Sequence, residues 1–245
     1  MPKYKNPPIV EALCEFQFIE KEPFDNTIPG LFYKEIQERY PKKIEQKGLS
    51  FAVNPKEGKI VPGVEMLGRM QFFNKDNTSL IQIGPNLLAV NFLKPYPGWE
   101  VFKPQIIKHL DIYKKLIPPA GFKRIGLRYI DKIEIPLINN SIAIEDYFKL
   151  APSYPPGLGA HYDSVSIRME FPYEGGRDKL IVALTSATPE KEGFGAFILD
   201  MDYFISSNDK IDIVEQEWIE NAHANIESAF ESIIADKCRS IFEVI

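Results

Sequence analysis

A short pattern occurs twice in this chain: Arg69-Met70-Gln71-Phe72 is answered by Arg168-Met169-Glu170-Phe171. Further matches follow in the same order. Leu80-Ile81 aligns with Leu180-Ile181, Val90-Asn91-Phe92 matches Met201-Asp202-Tyr203 in residue type, and the only two tryptophans, Trp99 and Trp218, each open a helical pattern. The offset grows from each match to the next, as insertions in turns would make it. Ordered self-similarity constrains a fold more than any single motif. It predicts two similar α+β halves, residues 1–120 and 121–245, within one compact, pseudo-duplicated unit of 245 residues.

Hydrophobic periodicity gives each half the same elements. Residues 8–19 alternate as a strand, with Val10, Ala12, Cys14, Phe16 and Phe18 on one side. A helix is expected at 29–40, with Leu31, Phe32, Ile36 and Tyr40 as its apolar stripe, and then a polar loop over 41–62. Strands are expected near 64–73, 78–84 and 87–93, and a helix at 99–116. The second half reads as a strand at 122–136, a short helix at 143–150 and a Pro/Gly-rich loop over 152–159. Strands at 163–172, 178–186 and 195–204 and a terminal helix over 211–240 complete it. Strands joined by short turns such as Asp76-Asn77, Pro85-Asn86 and Gly175-Gly176 must run antiparallel. The expected fold is therefore α+β: antiparallel sheet, single or split in two, with helices packed on one face.

Alternation also reads out the other face. It carries Arg69, Arg128, Lys132 and Arg168 against Glu11, Glu15, Glu134, Glu170, Asp200 and Asp202, with Arg124 on the same side of its strand. Two readings compete. In one, opposite charges pair across strands on a solvated surface. In the other, a concave polar surface binds a ligand or peptide, with Arg69, Arg128 and Arg168 anchoring carboxylates. Asp131 is out of pattern, because it falls between Tyr129 and Ile133 on the apolar side. A carboxylate there needs a partner or takes a raised pKa. The candidate binding set is Arg69, Arg128, Asp131, Arg168 and Asp202.

Composition narrows the chemistry. A net charge of −5 with only short basic pairs, Lys42-Lys43 and Lys114-Lys115, disfavours nucleic acid as a partner. No apolar run has the length of a membrane span. Cys14 and Cys238 are too few for a disulfide scaffold and fall at packing positions, so a reduced, cytoplasmic chain is expected. The nucleophile elbow, the phosphate loop and the dinucleotide fingerprint are absent, and Gly157-Leu158-Gly159 lies in a Pro-rich loop. His109, His161 and His223 have no neighbours at zinc-ligand spacing, and nothing selects Ser186, His161 and Asp131 as a triad. No catalytic residue, metal or cofactor is assigned.

The opening Asn6-Pro7-Pro8-Ile9-Val10-Glu11-Ala12-Leu13-Cys14-Glu15-Phe16, the central Gly126-Leu127-Arg128-Tyr129-Ile130-Asp131-Lys132-Ile133 and the C-terminal Phe230-Glu231-Ser232-Ile233-Ile234 are distinctive together. They resemble a sporadically distributed family of uncharacterised bacterial proteins of about this length. The resemblance implies a bacterial, cytoplasmic, single-unit protein and carries no activity, cofactor or site residue with it. The functional expectation is a non-catalytic binding or protein-interaction module. Its partner would be another protein or a second copy, docked through Ile241, Phe242, Val244 and Ile245. The alternative is a small-molecule binding protein or enzyme with a pocket between sheet and helices.

Overall fold

The computed structural model describes residues 4–21, 23–48, 51–53, 60–62, 66–153, 155–158 and 163–243. The first half runs β1 (Ile9–Ile19), α1 (Ile28–Ile36), β2 (Lys42–Gly48), β3 (Phe51–Val53), β4 (Ile60–Pro62), β5 (Met66–Phe73), β6 (Ser79–Gly84), β7 (Leu87–Leu93) and α2 (Trp99–Leu116). The second runs β8 (Gly121–Pro136), β9 (Ser166–Tyr173), β10 (Asp178–Ala187), β11 (Phe194–Ile211), α3 (Glu215–Ile233) and α4 (Asp236–Phe242). Nine of these strands form one continuous antiparallel sheet in the order β2-β5-β6-β7-β1-β8-β11-β10-β9, and β3 and β4 form a separate hairpin.

Short turns dictate the antiparallel pairing. Asn77 and Asn86, both at φ 56, close the β5–β6 and β6–β7 hairpins in the left-handed region that asparagine tolerates. Gly175 and Gly176, at φ 68 and 93, do so between β9 and β10. The two halves meet at the centre, where β1 pairs with β8 from Ile9↔Asp131 to Ile19↔Gly121. Outward from that seam each half adds its last strand, then its middle one, then an earlier one.

One sheet face is the core. Ala12, Cys14, Phe16 and Phe18 align with Tyr129, Leu127, Ile125 and Phe122 across the seam, and all are buried. Helix α2 lays Tyr113 on Phe18 with ring centroids 4.2 Å apart, α1 sets Phe32 near Phe72, and α3 sets Trp218 against Tyr203. Each large apolar side chain buried in this way stabilises the fold by roughly 1.5–3 kcal/mol. No helix among the described residues is long and apolar enough to cross a membrane.

Several expectations are corrected. The expected loop over 41–62 contains β2, whose Lys42, Lys43, Glu45 and Gln46 are exposed. Charged side chains suit an edge strand, where they block pairing with other chains. Leu31 is exposed, because the α1 stripe runs through Phe32, Ile36 and Tyr40 at four-residue spacing. The short helix expected at 143–150 is only a 3₁₀ turn, Ile144–Asp146. Strand β11 continues to Ile211, following the long β8 down to Ile211↔Phe122.

The terminal helix is two helices. At Ile234 and Ala235 the backbone is extended, and the residues just after the 3₁₀ turn supply the competing bonds: Lys149 N donates to Ile233 O and Ala235 N to Tyr147 O. Phe242 is buried against Tyr4 and Phe230, so it fills this chain's own core rather than docking outward. Val244 and Ile245 lie outside the described residues.

Candidate functional site

No described helix packs on the second sheet face; over β6 and β7 it is buried and largely apolar, with Leu80, Leu87 and Ala89 beside Asn91, and across β1, β8 and β11 it is mostly polar and charged. Its side chains come from alternate residues of β5, β6, β7, β1, β8, β11, β10 and β9. The register puts Asn91, Leu13, Arg128, Asp202, Ile181 and Glu170 in one row across six strands. The groups on this face bond to one another. Gln71 donates to Gln82 (3.1 Å), Gln82 to Asn91 (3.2 Å), and Asn91 to Glu11 (2.6 Å).

Beyond the seam the bonds carry charge. Arg128 grips Asp200 through Nε (2.7 Å) and Nη2. Arg124 reaches both oxygens of Asp202 through Nη2 (3.0 and 2.8 Å) and Glu15 through Nη1 (3.3 Å). Arg124 can do this because it crosses Gly126, where a Cβ would lie only 2.4 Å from Nη1. The guanidinium also stands over the Phe204 ring, 4.8 Å from its centroid. Burial pushes the Asp202 carboxyl up, and Arg124 and Arg128 work against that shift. The bond to Asp200 holds Arg128 firmly protonated.

The five sequence-predicted residues do not converge. Arg128 and Asp202 share the central patch. Arg69 stands at its fringe, 45% exposed and 4.0 Å from Glu15. Arg168 is 60% exposed on the far wing, 3.9 Å from Glu170. Asp131 lies on the opposite, helix-covered face, so the five cannot line one pocket. Arg124 and Gly126 are at the centre of the patch but outside the predicted set. What marks them is their register opposite Gln17 and Glu15, which only the paired strands reveal.

Under the helices, Asp131 is 2% exposed, and its Oδ1 has no hydrogen-bond partner among the described residues. Burial, helped by Asp200, pushes its carboxyl up to about 8. Nearby, Tyr129 shares its hydroxyl with Tyr96 and with His223 Nδ1, both at 3.1 Å. His223 stacks on Trp99 with centroids 4.0 Å apart, and burial lowers its pKa to about 4.

Asp178 shows the contrasting case of a buried carboxylate that is satisfied. Trp218 and Tyr203 donate to it, each at 3.1 Å, and Arg177 is bidentate. Burial pushes the Cys238 thiol up to about 12 and raises Cys14 as well, which leaves both as packing groups rather than nucleophiles. His161 and Gly159 lie outside the described residues. No group of three or more His, Cys, Asp or Glu side chains among the described residues is placed to hold a metal.

No protein-family model matches the chain, and no curated protein matches it in sequence.

Proposed function

We propose that this chain is a non-catalytic binding module whose polar sheet face receives a protein partner. One observation carries the reading: the charged groups of that face are tied to one another and spread out rather than converging. Small-molecule sites are usually concave, with a few convergent polar groups. Here Arg124 and Arg128 are already paired with Asp202, Glu15 and Asp200. The two most exposed arginines of the set, Arg69 and Arg168, stand on β5 and β9, seven strand spacings or about 34 Å apart. Only a macromolecule spans that distance. The internal pairs fix the side chains in advance, which lowers the ordering cost of association.

The test is native mass spectrometry of the chain gently purified from its own lysate, beside the double variant R69E/R168E. The expected result is a complex with a second polypeptide that the double variant loses. A bare chain carrying a small-molecule adduct that leaves on denaturation would overturn the reading.

The same proposal takes the two halves as copies of one ancestral unit. The matching strand order on the two sides of the β1–β8 seam supports this. The bacterial, cytoplasmic assignment rests on the family resemblance of the opening and central segments. Two free buried cysteines suit a reducing compartment.

A further inference from the structure

A second site lies at the end of the seam. Strand β1 begins only at Ile9, because Pro7 and Pro8 have no N–H to give to a ladder. Strand β8 continues past that point to Pro136, held on its other side by β11. A groove of about 520 Å³ opens there, between the segment after β7 and the end of β8. Its apolar wall includes Pro7, Pro8, Pro95, Tyr96, Ile241 and Phe242. The Tyr96 hydroxyl is committed to Tyr129, so its polar end is already satisfied.

The charged lining is Lys5, Lys94, Lys132 and Lys191 against Glu134 and Glu190, a positive concavity on a chain of net charge −5. Lys5 is partly neutralised from outside by Glu243 at 2.9 Å. Lys132 is the recessed cation, with its side chain 19% exposed. Its Nζ donates to Glu190 Oε1 at 2.8 Å, and Glu190 itself is 70% exposed. Glu190 belongs to the loop between β10 and β11. That loop is pinned by Glu134, which accepts from the Glu190 backbone N–H and lies 3.9 Å from Lys191. Lys132, with Lys94 and Lys191 behind it, holds the Glu190 carboxyl below the usual carboxylate range. An exposed carboxylate from a loop thus sits on the one recessed ammonium of the groove.

We propose that the groove binds a small organic oxyanion with an apolar body, its charged group taking the place on Lys132 that Glu190 now fills. The prolines, Tyr96 and Ile241 would pack the body. Glu190 is then an internal competitor: its exposed side chain turns off Lys132 when ligand enters, while Glu134 keeps the loop backbone in place. Lys132 and Glu134 lie on the same sheet face as the Arg124–Arg128 patch, at its end, but their bonds go to Glu190 and Lys191 rather than to the patch, so the two proposals are tested independently.

The probe is 8-anilinonaphthalene-1-sulfonate, an aromatic oxyanion, titrated by fluorescence into the full chain at low ionic strength. E190Q removes the competitor's charge from an exposed position and should bind the probe about five-fold tighter. Lys132→Gln should bind it about ten-fold more weakly. Displacement by inorganic phosphate or by benzoate then separates a phosphate from a carboxylate preference. Thermal melts by circular dichroism confirm that each variant is folded. Equal affinity in E190Q and wild type overturns the proposal, whatever Lys132→Gln does.

Discussion

Asp131 makes the fold's stability depend on pH. In the unfolded chain an aspartate titrates near 3.9, whereas here burial holds the carboxyl at about 8. Below both values the group is protonated in both states and has no effect on the balance. As pH rises from about 4 to about 8, the unfolded chain releases a proton that the folded chain keeps, so stability falls across that window. Asp131→Asn keeps the shape and removes the titration. It should be more stable than wild type at pH 8 by about 2–5 kcal/mol, read as a higher melting temperature, with the gap closing toward pH 4. Parallel melting curves for the two proteins across that range would show instead that Asp131 has a charged partner. Gly126→Ala tests the other face. The new Cβ would displace the Arg124 guanidinium from Glu15 and Asp202, destabilising by about 1–3 kcal/mol. A melting temperature unchanged from wild type would mean that Arg124 finds an equivalent position. Asp131 was legible in the sequence because strand parity alone sets its face. Strand parity also puts Arg124 on its face, but its reach to two carboxylates depends on how three strands align, and a single strand does not carry that information.

At the scale of elements, what was legible followed from local physics. The hairpins of β5–β6–β7 and β9–β10 are set by short turns of two to five residues, and α2 by its own period. The misread elements are those whose backbone bonds come from far away in sequence. Strand β2 is Lys-Lys-Ile-Glu-Gln-Lys-Gly, which carries no apolar alternation, and it is a strand because β5 offers an edge. The helical period of the C-terminal segment continues through Ile233, Ile234 and Cys238, yet the helix breaks. Tyr147 and Ile233 exchange backbone bonds with partners more than eighty positions away in the chain. Propensity loses to tertiary bonding in both cases. The groove at the start of β1 has the same origin. Pro7-Pro8 was visible, but the gap exists only because β8 outlasts β1.

At the scale of the molecule, the central question is whether the two halves are one cooperative unit. Their sheets are continuous, and the pair at the centre is the seam itself, with ten residues of β1 registered against β8. The helices cross the seam too: Trp99 of α2 stacks on His223 of α3, and Lys103 and Trp99 both bond to Glu220. Unfolding either half alone would expose one side of the central ladder and the buried face of Ala12, Cys14, Leu127 and Tyr129. Unpaired buried strand edges are costly, so partial unfolding should not be populated. Each half holds one tryptophan, which makes the prediction measurable. Trp218→Phe leaves Trp99 to report on the first half and its seam, and Trp99→Phe leaves Trp218, packed on Tyr203, to report on the second. In urea, each variant's fluorescence transition should coincide with its own far-UV circular dichroism transition. Separate midpoints for the two probes would divide the chain into two domains, and the β1–β8 ladder would then be an interface rather than the centre of a single core.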